Sequence, residues 1–191
     1  ERGELDTLRT YPVSRSTYVA GVYLGRAVVV AGVVLVSLLG AAALVPLSGA
    51  KSVTVIAAHA TVDSPLLFLR YVVLTVGFGL VTLAVAVLVS AAARSTRGGL
   101  ALAAGAVIAM VVGIDSALVA ALTGGLVSAE GVTWLLALSP NSAYRSLVFA
   151  TTLDPVGASV PAGAGIAASA VGLVLWTGLA IVGAAVLAWR S

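Results

Sequence analysis

Few side chains in this sequence can do chemistry, and the most isolated of them is Asp115, the one ionisable residue in the apolar stretch 100–122. An acid in such surroundings either relays protons or ions or bonds to a neighbouring helix. The single histidine, His59, lies close to Asp63, and His59 with Asp115 could act as base and acid on a lipid if the fold brought them within hydrogen-bond reach. No motif places a serine or cysteine nucleophile beside them, so an ordinary loop histidine is the stronger reading. Cysteine is absent and Met110 is the only methionine, which leaves no soft ligand set for copper(I) and no predicted metal site. Gly49-Ala50-Lys51-Ser52 approaches the phosphate-binding G-x-x-x-x-G-K-[ST] loop but has alanine before Lys51 and lacks the upstream glycine. Any ATP used must be bound by another chain, and no cofactor is predicted on this one. Gly163-Ala164-Gly165-Ile166-Ala167-Ala168 fits G-x-G-x-x-[GA], yet no strand is predicted before it, and small residues for close helix packing explain it better. No catalytic residue is predicted.

The elements that must position Asp115 are apolar helices. The chain has 191 residues, 61% hydrophobic and 9% charged, too few polar side chains to cover a water-facing globule. A bilayer must be its solvent. Crossing a hydrocarbon layer of ~30 Å takes ~20 apolar residues in a helix. Four stretches suffice, at 27–47, 71–93, 100–122 and 162–189, of which only the third carries a charge, Asp115. Counting ~1.5 Å per residue from Gly98 puts Asp115 ~26 Å into the layer, near its far boundary. At that height it can be hydrated or bonded to a neighbour, which favours a structural role over a transport one. The fold class is thus all-α, a polytopic transmembrane helical bundle with four spans, and residues 1–191 form a single membrane domain.

Arg and Lys collect in cytoplasmic loops. Arg2, Arg9, Arg15, Arg26, Arg94, Arg97 and Arg190 fall on one side and Lys51, Arg70 and Arg145 on the other, which puts both ends of this chain in the cytoplasm. The formal charge of +3 is spread through these gaps rather than gathered in a patch, so nucleic acid is not a predicted partner. The outer loop 123–161 has structure of its own. Trp134 to Leu138 is a short apolar run, and Ser139-Pro140 reads as an N-cap followed by proline in the first helical turn, opening a helix through Tyr144, Leu147 and Val148. Both pieces are too short to cross and lie at or dip into the outer interface. Gly21, Gly25, Gly172, Gly178 and Gly183 offer small surfaces for helix contact, and Trp189 beside Arg190 is placed as an interfacial anchor.

Before the first span, residues 1–16 form a polar segment in which Leu5 and Leu8 share one face of a helical turn and Tyr11-Pro12 ends it. Ser14 or Ser16 can cap the helix that follows. Glu1-Arg2-Gly3, Leu8-Arg9, Tyr11-Pro12-Val13-Ser14-Arg15 and the Gly21-x-x-x-Gly25-Arg26 approach to the membrane resemble the type-2 ABC exporter permeases. Within these the sequence is most similar to the NosY-like group, associated with maturation of nitrous oxide reductase. Ser90-Ala91-Ala92-Ala93-Arg94-Ser95 and Leu138-Ser139-Pro140-Asn141-Ser142-Ala143-Tyr144-Arg145 agree, the latter with Ser139 where the family has Asn and Tyr144 where it has Phe.

The resemblance implies a permease subunit that pairs with a second permease copy, as a homodimer, and with a cytoplasmic ABC ATPase. Residues 1–16 would be the coupling helix gripped by the ATPase, with Glu1, Arg2, Gly3, Arg9, Tyr11, Pro12 and Arg15 as coupling residues. Such permeases usually have six spans, so two would precede Glu1. The expected location is the cell membrane of a prokaryote, in keeping with the prevalence of Arg over Lys. An intramembrane lipid-modifying enzyme and a non-transporting scaffold are the competing readings.

Overall fold

The structure, a computed structural model, describes residues 14–47, 64–153 and 163–188. Those residues contain helices and no strand. Helix α1 (Arg15–Leu47) runs for 33 residues, about 50 Å. It begins at Ser14, whose Oγ accepts the backbone N–H of Thr17 at 3.2 Å, so of the two serines offered by the sequence Ser14 is the cap. The last residues of the expected coupling segment, Arg15 and Ser16, therefore belong to the first turn of α1.

Helix α2 (Pro65–Ala92) starts with proline in its first turn, where a missing N–H costs nothing. The chain then reverses within a few residues. Ala93 is extended, and Ser95 caps α3 (Thr96–Ile108) by accepting from Gly98 N–H at 3.1 Å. The helix continues through a π-helical turn at Ala109–Gly113 into α4 (Ile114–Thr123). Gly125, with φ of 69°, closes α4: its N–H bonds to Leu122 O and that of Leu126 to Ala121 O, the paired bonds of a Schellman stop, which needs a residue free of a Cβ clash.

Two short helices follow, α5 (Ala129–Leu138) and α6 (Pro140–Val148), joined by Ser139 alone. A π-helical turn at Phe149–Leu153 ends α6, and α7 (Ile166–Leu187) completes the described chain. Four helices are long and apolar enough to cross a membrane: Arg15–Leu44 of α1, α2, the continuous Thr96–Thr123 and α7.

Their outer surfaces are apolar. Val28, Val36, Leu100 and Val174 are 75, 74, 75 and 71% exposed, an area of hydrocarbon that only lipid or another membrane chain can cover. Between helices the reverse holds, and the fully buried positions are mostly small, Ala84, Ala143, Ala184 and Ser169 among them, with Val72 the largest. In lipid no hydrophobic drive separates helix from solvent, so close backbone approach through small residues holds the bundle. Helices α1, α2 and α7 meet at Val19, Val87 and Ala184. Helices α2 and α7 run side by side, while the α3–α4 helix meets the bundle at its two ends, at the turn with α2 and at the α5–α6 pair.

One sequence expectation changes. A methyl group at Gly21, Gly25 or Gly178 would meet nothing within 4 Å, so among the described residues these glycines serve no close contact, whereas Gly172 and Gly183 do. Arg26 lies about three turns along α1. His59, Asp63, Lys51, Trp189 and Arg190 lie outside the described residues, as do Glu1, Arg2, Gly3, Arg9, Tyr11 and Pro12.

Candidate functional site

The polar chemistry of the described chain converges on Ser139. It is the last cap of α5 and the first of α6: its backbone is extended, with φ −83° and ψ 120°, its N–H bonds to Leu136 O at 3.3 Å and its carbonyl receives Ala143 N–H at 2.8 Å. Its side chain accepts Ser142 N–H at 3.3 Å. Serine followed by proline supplies both the capping oxygen and a residue that needs no partner for its nitrogen. Ser139 and Pro140 are fully buried.

This corner dips below the ends of the spans at which α4 stops and α7 starts. Asp115, which it touches, lies eight residues before the end of α4 at Thr123, or ~12 Å. Gly172 and Trp176 on α7 lie six and ten residues after its start at Ile166, or ~9 and ~15 Å. Both contact the end of α5: Trp176 Nε1 donates to Leu138 O at 2.7 Å, and a methyl group on Gly172 would overlap the Ala137 carbonyl. Helices α5 and α6 are therefore a re-entrant pair, too short to cross, whose non-helical corner is tolerated at depth because protein surrounds it and its backbone groups are bonded.

Asp115 fastens the corner to the α3–α4 helix. Its Oδ1 accepts from the hydroxyls of Ser139 and Ser142, the latter at 2.9 Å, and its Oδ2 accepts Asn141 Nδ2 at 3.0 Å. All three donors lie in the first turn of α6, whose positive helix end also favours the carboxylate. The π turn immediately before Asp115 adds a residue to the helix and so sets which way the acid faces. Its first residues take part in the contact: Met110 is buried, and Asn141 Nδ2 also lies 3.5 Å from Val111 O.

Farther along α6, Tyr144 stacks on Phe78 of α2 with ring centroids 4.6 Å apart and planes at 17°. Thr75 gives its own proton to Tyr71 O at 2.8 Å, so Tyr144 donates to Thr75 Oγ1 at 3.0 Å. The α6 end is tied on by Arg70, which donates to Thr151 O at 3.1 Å. At the start of the last span, Ser146 Oγ accepts Ala164 N–H at 3.1 Å, and a Cβ on Gly163 would lie 2.5 Å from the same Oγ. The Gly163-Ala164-Gly165 run is thus used where the backbone passes close to α6, with no strand before it among the described residues.

Of the residues singled out on sequence, the structure places Asp115 in this cluster and Arg15 at the far end of α1, and does not bring the two together. Ser139 was legible as a cap. Its bond to Asp115, the part played by Asn141 and Ser142, and the anchoring of Leu138 by Trp176 were not, since their partners are distant in sequence. Among the described residues no group of three His, Cys, Asp or Glu side chains meets. Three donors on one carboxylate tie the α3–α4 helix to the first turn of α6.

No curated protein matches the chain. The family described as ABC-2 family transporter protein matches residues 1–189, which implies a transport subunit working with an ABC ATPase. Four apolar spans, a re-entrant helix pair and a match along almost the whole sequence lead to one conclusion: the chain belongs to the ABC-2 family of membrane transporter proteins.

Proposed function

We propose that this chain is the membrane-spanning permease of a prokaryotic ABC exporter of the NosY-like group, without catalysis of its own, which turns ATP hydrolysis on a partner into outward movement of cargo. The observation that carries the reading is the match of residues 1–189 to the transporter family in a chain whose four spans expose apolar faces to lipid. The ATPase grips residues 1–16, with Glu1, Arg2, Gly3, Arg9, Tyr11, Pro12 and Arg15 as its contacts, and both ends of the chain face the cytoplasm. Two permease copies form the transport unit in the cell membrane. Asp115 is a fastening in this scheme. The α3–α4 helix touches the bundle at its ends, so displacement near Arg94 and Arg97 reaches the re-entrant pair through the Asp115 bonds, and the pair closes the outer side of the path.

The test is co-expression with the cytoplasmic ATPase and reconstitution in proteoliposomes. The two proteins should co-purify, and Arg9→Glu with Arg15→Glu should lower permease-stimulated ATP hydrolysis while helical content stays at the wild-type level. Unchanged stimulation in the double variant would overturn the coupling assignment.

A further inference from the structure

The continuous helix Thr96–Thr123 holds one residue more than a regular α-helix of its length would. Between α3 and α4 the N–H of Ile114 bonds to Ala109 O, five residues back, where an α-helix would use Met110 O. Such single π turns are rare and absorb one extra residue. The surplus shows in the facing of the two halves. Leu100 and Val119 are 19 positions apart, and with one absorbed the remaining 18 make five whole turns of 3.6 residues, so the two share one face. Both are exposed.

Helix α6 holds the π turn in place. Asn141 Nδ2 reaches the turn and the residue after it together, lying 3.5 Å from Val111 O and 3.0 Å from Asp115 Oδ2. The hydroxyls of Ser139 and Ser142 bind the other carboxylate oxygen. Little else resists a rotation of α4. Helices α3 and α4 bury no residue, and within the π turn only Met110 is buried. The link from α4 to α5 begins at Gly124 and Gly125, where the backbone angles have the most freedom to change.

When a π turn relaxes to α-helix, its extra residue joins the regular count. Helix α4 would then turn by about 100° against α3 and advance by about 1.5 Å along the axis. Asp115 would take the direction that the exposed Ser116 has now, and Ile114 would stand opposite Ser139, Asn141 and Ser142. Isoleucine has no side-chain acceptor, so the three donors lose their partner in a single step.

We propose that the helix Thr96–Thr123 has two registers: the π register, in which Asp115 holds α6, and an all-α register, in which α4 is turned by about 100° and α6 is released. All three donors to Asp115 lie at the start of α6, so a displacement of α6 breaks their bonds together, and nothing then retains the extra residue. The helix works as a catch with two positions, one of the discrete rearrangements by which small shifts are amplified. This catch belongs to the helix itself and depends on neither an ATPase nor a cargo.

The chain has no cysteine, so Leu100→Cys with Val119→Cys attaches two spin labels, and pulsed electron resonance on the full chain in nanodiscs reads their separation. Against that labelled background, Asp115→Ala with Asn141→Ala should lengthen the distance by about 4 Å, the effect of the turn and the advance combined. Deleting Val112 removes the extra residue, and the short distance should then persist even with Asp115→Ala and Asn141→Ala present. Moving the acid back by one position, with Ile114→Asp and Asp115→Ile, should give the long distance while the acid again faces α6. An unchanged separation in the Asp115→Ala, Asn141→Ala chain at wild-type helical content would overturn the proposal, as would a lengthening that survives the deletion of Val112. Should that double variant not fold, the chain with the moved acid decides, and a short distance there is equally fatal.

Discussion

Replacing Asp115 with alanine removes the acceptor of three hydrogen bonds, from Ser139, Ser142 and Asn141, at one stroke. Hydrogen bonds between membrane helices average ~0.6 kcal/mol and reach ~1.7 kcal/mol. A carboxylate acceptor at a helix N-terminus belongs toward the upper part of that range, so three bonds sum to about 3 kcal/mol. Asp115→Asn keeps an oxygen for the two hydroxyls and turns an amide toward Asn141, and its expected cost is about 1 kcal/mol. The assay is reversible unfolding in mixed micelles, run as a double-mutant cycle with Asn141→Ala. A coupling of about 1 kcal/mol between the two positions is expected. Spin labels on α4 and α6 should also report a broader distance distribution in Asp115→Ala, because the α3–α4 helix loses its attachment to α6. A cost under ~0.5 kcal/mol for Asp115→Ala, with additive behaviour against Asn141→Ala, would refute the fastening.

Gly172→Ala puts a methyl group onto the Ala137 carbonyl, a backbone atom that no rotamer change can move; unfolding in micelles should show a loss of about 1–3 kcal/mol, while Gly178→Ala, with nothing within 4 Å of the new methyl, should stay within ~0.5 kcal/mol of wild type. Trp176→Phe leaves the Leu138 carbonyl without its 2.7 Å donor and should cost about 1 kcal/mol in the same assay.

How much could be read without coordinates differed by element. The four spans were legible because length and lack of charge are properties of a contiguous stretch, and a bilayer demands both. The corner at Ser139 was half legible: a serine before a proline marks a helix start wherever it occurs, but nothing local says that the start is buried or that Leu138 will meet Trp176. The glycines show the limit. Gly172 and Gly178 stand on the same helix in similar apolar company, and only the path of α5 makes one of them indispensable to a contact.

Sequence alone determined the all-helical class, the spans and the isolation of Asp115 as a charge in an apolar helix, because each depends on residues next to one another in the chain. Tertiary structure decided what that charge faces. Asp115 meets three donors more than twenty residues away, because a π turn and a re-entrant pair bring them together. What a charge in an apolar helix meets is fixed by packing between helices, which composition and spacing along one helix do not encode.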